Sequence, residues 1–575
     1  MRNQEIAKIF YEIADFLDAD KISFKPYAYR RAAASLENLG EDVFDIYKRD
    51  GIKGLKDIDG IGESIAEHIE EYLKTGKIKI YEKYKKQLPL KIDELTKVEG
   101  LGIKKIKVLY NKLGIKNLKD LERSAKAGKI APLFGFGEKT EKNILQGIEF
   151  LKRDKGRFLL GEILPVAENI LQKLESLKEV DEASLAGSVR RRKETIGDVD
   201  VLAVSKTPEK VMDYFTKLEG IEKIWAKGDT KSSVRVREGF DIDLRIVSKK
   251  SYGSALQYFT GNKDHNILTR KIAIEKGLKL SEYGLFKGSK QIAGQTEEGV
   301  YKALGMKYPE PELRENTGEV EEALHGKLPE LVELKDIRGD LHCHTTASDG
   351  RSSLQEMIEK ALELGYDYIG ISDHTRTLGV ANGLNEKDLL TQHKEIERIR
   401  ERFKKQGKKI TILHGCELNI LEDGSVDIKD EVLQKLDYRI ASIHSLMKME
   451  KSQMTKRLVK AMQNPYINII GHPSARLIGE RDEIQIDWDK FLAEAKKTGT
   501  ILEISSQPKR LDLRDIYIRR AKELGIGMII DTDSHHKEQL DLMRYGVWNA
   551  RRGWAEKVDI VNTLPIEDFI KRLKR

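Results

Sequence analysis

The chain has 575 residues, of which 39% are hydrophobic and 34% are charged, and its net charge is +8 at pH 7. This length predicts several domains with ordinary cores. The first ten residues, MRNQEIAKIF, are too polar for a signal peptide, and no apolar run approaches the roughly 18 residues that a membrane span needs. Two cysteines, Cys343 and Cys416, do not suggest a disulfide framework. We therefore expect a soluble, cytoplasmic monomer.

The basic excess is concentrated at the start of the chain. Residues 1–155 contain 32 Lys and Arg against 26 Asp and Glu, whereas the other 420 residues contain 71 against 69. A local positive charge of this kind is expected where a protein meets phosphates, although Lys-rich helical faces are commonly just solvated. The distribution favours a nucleic acid as partner but does not establish one by itself.

One sequence element occurs three times in this basic segment: at 55–69 (LKDIDGIGESIAEHI), 95–109 (LTKVEGLGIKKIKVL) and 130–145 (IAPLFGFGEKTEKNIL). Each copy has a Gly-apolar-Gly turn followed by a helix-period stretch, whose first amides can bind a phosphate oxygen. The element resembles the helix-hairpin-helix motif, which holds DNA backbones without reading bases. One copy alone could be a plain turn between helices, but three copies predict DNA binding. The turn glycines are Gly60, Gly62, Gly100, Gly102, Gly135 and Gly137.

Before the first copy, residues 24–36 read FKPYAYRRAAASL. Lys25, Tyr29 and Arg30 could stack on a DNA strand end and neutralise its charge. The alternative is an amphipathic helix that buries Tyr29 and Ala33. The sequence leaves both open.

Two segments of the middle region predict a carboxylate cluster. In SLAGSVRRRKETIGDVDVLAV (184–204), Asp198 and Asp200 alternate with valines, so both carboxylates lie on one face of a strand. In GFDIDLRIVS (239–248), a second strand offers Asp243, with Asp241 two residues earlier. Carboxylates from neighbouring strands can hold a pair of Mg²⁺ ions for phosphoryl or nucleotidyl transfer. The Gly187–Ser188 turn can bind phosphates, and Arg191 adds positive charge near it.

With these residues, and with YFTGNKDHNILTR (258–270) and TEEGVYKALGMKYPEPELRE (296–315), residues 1–320 resemble the family X DNA polymerases, the class that includes DNA polymerase beta. The resemblance implies gapped or primed DNA and a dNTP as substrates. It implies Asp198, Asp200 and Asp243 as ligands of Mg²⁺, with Asp243 activating the primer 3′-hydroxyl. The implied nucleotide contacts are Ser188, Arg191 and Gly197 at the triphosphate, Tyr258, Phe259 and Gly261 at the sugar, and Asn266 and Arg270 at the nascent pair and template.

The chain departs from polymerase beta at three positions. His68 stands where that enzyme has its Schiff-base lysine, and Ser64 where it has a second phosphate-binding lysine. An imidazole cannot form an imine, so deoxyribose-phosphate lyase activity is not expected. Lys263 stands where the relative has an acidic residue near the base, so nucleotide selectivity is expected to differ.

From residue 338 onward, short apolar runs alternate with helical stretches, and most runs end in His or an acidic residue. The first is followed by GDLHCHTTASDG (339–350). This predicts ligands at the carboxyl ends of successive strands of a parallel β/α barrel. Nine side chains exceed the four that a structural zinc takes, so two or three ions are expected. Mixed imidazole and carboxylate ligands suit Zn²⁺, Mn²⁺ or Fe²⁺ better than Mg²⁺, and we expect Mn²⁺ or Zn²⁺. The expected ligands are His342, His344, Asp349, His374, Glu417, His444, His472, Asp533 and His535.

This pattern resembles the polymerase and histidinol phosphatase (PHP) family, which implies a distorted β/α barrel and, beside a polymerase, a 3′→5′ exonuclease. We therefore predict a multidomain α/β and α+β protein for short-gap DNA repair. The expected parts are two helical hairpin domains (1–88 and 89–155), a palm with a mixed sheet (156–257), a thumb-like subdomain (258–315), a linker (316–337) and the PHP domain (338–575). Three alternatives stay open: a structural metal cluster, a non-catalytic DNA-end scaffold, and a small-molecule phosphatase domain.

Overall fold

The structure is a computed structural model that describes residues 2–19, 25–39, 42–58, 60–87, 95, 98, 101–153, 156–376 and 382–573. The chain folds into two compact units. The first is Met1–Arg157 with Ile267–Gly277, and the second is Phe158–Asn266 with Leu278–Arg575. No helix in the described ranges is long and apolar enough to cross a membrane.

The first unit is helical. Its helices pack apolar faces together, as in the helix Glu63–Thr75, which buries Ile65, Ala66 and Ile69 at helical spacing and ends at Gly76 in a left-handed conformation. The helices are α1 (Arg2–Ala19), α2 (Lys25–Asn38), α3 (Val43–Lys56), α4 (Glu63–Thr75), α5 (Lys79–Gln87), α6 (Ile103–Leu113), α7 (Leu118–Lys126) and α8 (Gly137–Arg153).

The second unit begins with a five-stranded mixed sheet of strand order β2-β4-β7-β6-β5, in which β4 and β7 are parallel and the other pairs are antiparallel. Along β4, Val199 and Val201 are buried and alternate with the aspartates, as period-2 alternation predicts. The strands and helices of this region are β1 (Phe158–Leu159), α9 (Leu160–Glu175), β2 (Val180–Leu185), α10 (Gly187–Arg190), β3 (Thr195–Ile196), β4 (Asp198–Ser205), α11 (Pro208–Phe215), β5 (Ile221–Lys227), β6 (Lys231–Val236) and β7 (Asp241–Val247).

A small antiparallel sheet, of order β10-β9-β8, and short helices follow the palm. The predicted linker contains a helix whose Glu319, Val320 and Ala323 are buried, so this segment is packed rather than extended through solvent. The elements are α12 (Tyr252–Thr260), α13 (Lys263–Glu275), β8 (Lys279–Ser281), β9 (Gly284–Lys287), β10 (Lys290–Ala293), α14 (Glu297–Ala303) and α15 (Glu319–Leu324).

The last region is a parallel barrel with helices around it. Its strands are almost entirely buried, as β12 and β17 show, because helices cover the outer face. The strands are β11 (Gly339–Asp340), β12 (Tyr368–Ile371), β13 (Thr411–His414), β14 (Glu417–Asn419), β15 (Ile440–Ser442), β16 (Ile469–Ile470), β17 (Ile501–Ser505) and β18 (Met528–Asp531). The helices are α16 (Leu354–Glu363), α17 (Glu386–Lys405), α18 (Asp430–Leu433), α19 (Lys451–Gln463), α20 (Trp488–Thr498), α21 (Asp515–Leu524), α22 (Met543–Arg552) and α23 (Ile566–Leu573).

The barrel is distorted. Strands β11-β12-β13 form one parallel sheet and β14-β15-β16-β17-β18 form another. Parallel bridges from His374 to Glu417 and from Cys343 to Ser534 join the two sheets on both sides. Only Gly415 and Cys416 separate β13 from β14, so one short segment contributes to both sheets.

The predicted fold class is confirmed: helices form the first unit, and the second unit contains a mixed sheet and a distorted parallel barrel. The division into six parts stays a prediction, since the palm, the thumb-like region and the barrel lie together in one compact unit.

Candidate active sites

Two aspartates of β4 lie beside two aspartates of β7. In the parallel ladder Asp198 pairs with Asp241 and Asp200 pairs with Asp243, so four carboxylates lie at one end of two adjacent strands. Burial, followed by the negative charges of Asp198 and Asp243, raises the pKa of Asp200 to about 6. Such mutual repulsion is relieved when a divalent cation sits between the carboxylates, so this donor set fits a hard cation.

The two β7 aspartates differ in their surroundings. Asp241 accepts two hydrogen bonds from Arg235, both of 2.8 Å, and one from the Trp225 indole. Asp243 accepts from the Ser233 hydroxyl and lies 3.0 Å from the Lys231 ammonium. Asp241 is therefore bound by a planar guanidinium, whereas Asp243 is bound by a hydroxyl and an ammonium. The role of Asp243 as the third metal-binding carboxylate stays a prediction.

The Gly187–Ser188 turn lies directly against this cluster. Gly187 has φ +62°, and a Cβ atom there would lie only 2.7 Å from Asp200 Oδ2. Both the backbone angle and the contact require glycine. Ala186 N–H donates to the Asp200 carbonyl (2.8 Å), which fixes the turn to β4. Gly197, the residue just before β4, is half-buried.

The two arginines after this turn have different partners. Arg190 is tied to Glu297 by two hydrogen bonds, of 2.9 and 2.5 Å, and donates to the Thr260 hydroxyl. Arg191 donates its Nε to Glu315 (2.9 Å) and its Nη1 to the Thr260 carbonyl. Both guanidiniums are thus largely buried, Arg190 against Glu297 and Arg191 against Glu315.

The residues expected at the sugar and base lie beside Arg191. A Cβ on Gly261 would lie 3.3 Å from Arg191 Nη1 and 4.0 Å from the Asn266 amide nitrogen. Asn266 donates to the Tyr258 carbonyl and accepts from Gln257, both at 2.7 Å. Tyr258 contacts Phe259 edge-on, with ring centroids 5.1 Å apart. The fold therefore brings these residues together with the Gly187–Ser188 turn.

Arg270 belongs to the first compact unit, whereas the palm belongs to the second. Its predicted place at the template strand stays a prediction. Lys263 is exposed at the start of α13.

In the first unit, Gly62 and Gly102 are the residues that precede α4 and α6, and Gly137 opens α8. Gly60 and Gly135 have φ +78° and +86°. Each turn therefore has the predicted position at the start of a helix, where backbone amides are free to bind anions. Gly100 lies outside the described residues.

The segment before the first hairpin follows the second alternative. Tyr29 is only 6% exposed and Ala33 is buried, so the Tyr29 ring packs inside the helical core and does not face a strand end. It stacks on His68 at 6.1 Å. Lys25 is exposed and Arg30 is half-buried, so these two remain at the surface.

The nine predicted ligands of the barrel meet in one cluster. Glu417 is at its centre and is fully buried. One of its oxygens lies 2.8 Å from His374 Nδ1, 3.3 Å from His342 Nε2 and 3.6 Å from His344 Nε2. The other lies 3.2 Å from His444 and 3.1 Å from His472.

The remaining three ligands lie around the same centre. Asp533 lies 3.2 Å from His344 Nε2 and 3.6 Å from His342 Nε2. Asp349 lies 3.4 Å from His535 and 3.6 Å from His374. Three groups of side chains each bring one ligand atom within 4.8 Å of the others: His344, Asp349, His374 and His535; His342, His344 and Asp533; and His374, Glu417 and His444.

The chemistry of the cluster fits divalent metal ions. Several buried imidazole nitrogens, including both nitrogens of His344 and Nδ1 of His472, have no hydrogen-bond partner among the described residues. Burial, then the charge of His374, lowers the pKa of His344 to about 4, and burial, then Arg510, lowers that of His472 to about 3. These two imidazoles are therefore neutral, as a metal ligand requires. At His342, His374 and His535, neighbouring carboxylates outweigh burial and raise the pKa instead.

Two residues that the sequence pattern did not single out complete this centre. Glu503, buried in β17, is hydrogen-bonded to Nδ1 of His342 (2.5 Å), which leaves Nε2 facing the cluster. Arg510 lies 3.6 Å from Asp533, and its Nη1 is buried without a hydrogen-bond partner among the described residues. The run ILEISS (501–506) contained the signal for Glu503, whereas no local signal marked Arg510.

The cluster opens to the surface through a pocket of about 670 Å³. Asp349 and His535 line it together with Arg351, His536 and Gln539. Two of the nine predicted ligands are therefore accessible from this side.

Comparison with known proteins gives four matching family models. These are a helix-hairpin-helix domain (residues 1–78), a SAM-like helix-hairpin-helix tandem (92–149), the DNA polymerase beta thumb (255–315) and the PHP domain (340–507). The models are distributed along most of the chain.

A Bacillus subtilis (strain 168) protein named DNA polymerase/3′-5′ exonuclease PolX is 37% identical over 580 residues, which cover 100% of both chains. A probable phosphatase of Thermoanaerobacter sp. (strain X514) is 30% identical over 250 residues, covering 41% of this chain and 95% of its own. A crystal structure of Leishmania infantum polymerase beta, a ternary P/T complex, aligns with 39% of this chain and 97% of its own, at 24% identity and a TM-score of 0.33.

Proposed function

The chain belongs to the family X DNA polymerases that carry a C-terminal PHP domain, and from this premise we propose that it fills short gaps in DNA and removes nucleotides from the 3′ end. The observation that carries the proposal is the presence of two separate ligand clusters of different chemistry. Carboxylates alone form the palm cluster, whereas imidazoles and carboxylates form the barrel cluster.

At the palm, Asp198, Asp200 and Asp243 would hold two Mg²⁺ ions, because hard cations prefer oxygen ligands. Bound ions supply Lewis-acid activation of the primer hydroxyl and neutralise charge on the phosphates. We assign Asp243 to the primer 3′-hydroxyl. Its orientation is fixed by Ser233 and Lys231.

The nucleotide would bind between the Gly187–Ser188 turn and α12. The Ser188 hydroxyl and nearby amides, including that of Gly197, bind triphosphate oxygens. Arg191 neutralises part of their charge. Tyr258, Phe259 and Gly261 flank the sugar. Asn266, which accepts a hydrogen bond from Gln257, would approach the base of the incoming nucleotide. Arg270 would approach the template strand.

At the barrel, the nine ligands would hold two or three Mn²⁺ or Zn²⁺ ions, since imidazole prefers these to Mg²⁺. Bound ions supply water activation near neutral pH and charge neutralisation at phosphorus. Glu503 keeps His342 in the orientation and tautomer needed for a ligand. Arg510 would donate a hydrogen bond to a phosphate oxygen, because its buried Nη1 has no hydrogen-bond partner in the part of the chain that the structure describes.

The helical hairpins would hold the DNA backbone through the amides that begin α4, α6 and α8. His68 cannot form an imine with a sugar aldehyde, because its side chain is an imidazole. Its ring also packs against Tyr29. We further propose that the enzyme is monomeric and cytoplasmic. Sedimentation at assay concentration would test the monomeric state by measuring the molecular mass in solution.

The test separates the two activities on one substrate, a 3′-labelled gapped duplex. Asp243→Ala should abolish nucleotide addition and leave mononucleotide release within about twofold of wild type. The double variant His342→Ala/His344→Ala should show the reverse pattern, and added Mn²⁺ should restore activity to metal-stripped wild type but not to this variant. If the primer-extension rate of Asp243→Ala were within about tenfold of wild type, the assignment of Asp243 to nucleotide addition would be wrong.

The same proteins should be assayed on a small phosphomonoester. Phosphate release from that compound without mononucleotide release from DNA would assign the barrel to small-molecule phosphatase chemistry instead. If the double variant kept both mononucleotide release and phosphate release, the barrel cluster would be assigned a structural role.

A further inference from the structure

Helix α22 of the barrel region packs against the palm within the second compact unit. Tyr545 of α22 and Leu511 of the barrel belong to the palm's hydrophobic core. The Arg192 guanidinium, just after the Gly187–Ser188 turn, stacks on the Trp548 ring at 4.1 Å. Arg544 is paired with Glu168 of α9 at 3.1 Å. The barrel therefore shares a core with the polymerase region.

Arg552, the last residue of α22, reaches the nucleotide site itself. Its side chain is only 6% exposed. Nη1 donates to the backbone carbonyl of Arg191 (3.1 Å) and contacts Glu315 Oε1 (3.4 Å), while Nη2 is bound by Asp515. One buried guanidinium thus connects the barrel to both Arg191 and its carboxylate partner.

Glu315 is the residue through which this contact acts. Its carboxylate accepts from Arg191 Nε at 2.9 Å, from Asn262 at 3.3 Å and from Lys193 at 3.5 Å. With Arg552, three cationic side chains surround one carboxylate. The local charge stays positive, which suits a polyphosphate, and the direction of the Arg191 guanidinium depends on where Glu315 is held.

We propose that Arg552 is a positioning residue for nucleotide binding: by holding Glu315 and the main chain of Arg191, it orients the Arg191 guanidinium for the triphosphate. This inference rests on the proposed role of Arg191. Arg191 is already fixed at Nε by Glu315 and at Nη1 by the Thr260 carbonyl. A guanidinium held at two nitrogens loses little further rotamer freedom when a phosphate binds, so its loosening should weaken nucleotide binding more than turnover.

The experiment compares Arg552→Ala and Arg552→Lys with Arg544→Ala in the full-length chain. Arg544→Ala is the matched control, because it breaks another ion pair between α22 and the palm without touching Arg191 or Glu315. Steady-state insertion into a gapped duplex should show the KM for dNTP rising about tenfold in Arg552→Ala with kcat within about twofold. Arg552→Lys should recover part of the loss, and Arg544→Ala should leave KM unchanged.

A double-variant cycle then tests whether Arg552 acts through Glu315. Glu315→Gln alone should raise KM by a similar factor, and the double variant should be no worse than the more affected single variant, because both changes remove the same support. The inference would be overturned if the KM increases of the two single variants multiplied in the double variant. It would also be overturned if Arg544→Ala raised KM by the same factor as Arg552→Ala. Should Arg552→Ala not fold, Arg552→Lys combined with Glu315→Gln provides the same cycle.

Arg191→Ala in the same assay separates this inference from the proposed function. If it leaves KM for dNTP unchanged, the nucleotide role of Arg191 is wrong. If it raises KM while the Arg552 variants do not, the proposed function stands and only the positioning role of Arg552 is rejected.

Discussion

Gly187→Ala adds one methyl group where the turn meets the palm carboxylates. The new Cβ would lie 2.7 Å from Asp200 Oδ2, whereas Asp200 Cγ and Cβ are 3.6 and 3.7 Å away. Turning the carboxylate therefore relieves the clash, by a displacement of roughly half an ångström or more. This movement costs little stability but changes the geometry of a metal ligand. A misplacement of about 1 Å can cost about a hundredfold in rate.

The backbone adds a separate cost, because Gly187 has φ +62° and an L-residue there is strained by about 1–2 kcal/mol. Gly288→Ala is the matched control. It has φ +60°, and nothing lies within 4 Å of its Cβ position, so it carries the backbone strain without the clash. Both variants should therefore lose similar stability.

Single-nucleotide insertion into a gapped duplex should fall about a hundredfold in kcat/KM for Gly187→Ala, equivalent to about 2.7 kcal/mol. Gly288→Ala should remain within about threefold of wild type, and mononucleotide release should be normal in both. An insertion rate for Gly187→Ala within threefold of wild type would refute the argument, as would an equal loss in Gly288→Ala.

Three further predictions address other parts of the chain. Burial opposes ionisation of Glu297, but Arg314 and Arg190 lower its pKa from 4.5 to about 2. Above pH 4.5 this pairing therefore stabilises the fold by about 3 kcal/mol. The stabilisation is lost as the pH falls towards 2. Urea midpoints of wild type and Glu297→Gln should therefore differ at pH 7 and converge in acid, while a wide gap that persists near pH 2 would contradict this. Glu417→Gln should reduce the Mn²⁺ bound per chain, measured by elemental analysis, and slow mononucleotide release at least a hundredfold, with primer extension unchanged. Duplex binding should weaken steeply with salt. Gly102→Pro, which keeps φ near −71° but removes an amide donor, should bind duplex DNA more weakly than Gly102→Ala with the same log–log salt slope, because the lost donor is uncharged; equal affinities would contradict an amide–phosphate contact there.

Features that depend on local spacing could be predicted from the order of residues alone. The alternation in DVDV placed both aspartates on one strand face, and the parallel ladder then set Asp200 beside Asp243. Most of the barrel ligands could be found because they follow short apolar runs, and parallel strands present their carboxyl ends at the same edge. Glycine turns before helices were equally local, so Gly62 and Gly102 could be assigned as residues that precede helices.

Only the tertiary structure decided which of these side chains face a ligand and which face the core. Both alternatives for Tyr29 fit the same helical period, and packing against Phe10 and His68 selected burial. The contacts of Glu315 with Arg191 and Arg552 join residues 124 and 237 positions apart, a separation at which no period or motif carries information. Long-range contacts of this kind are made when whole elements pack, because burial and charge pairing act on the assembled surfaces and not on the order of residues along the chain.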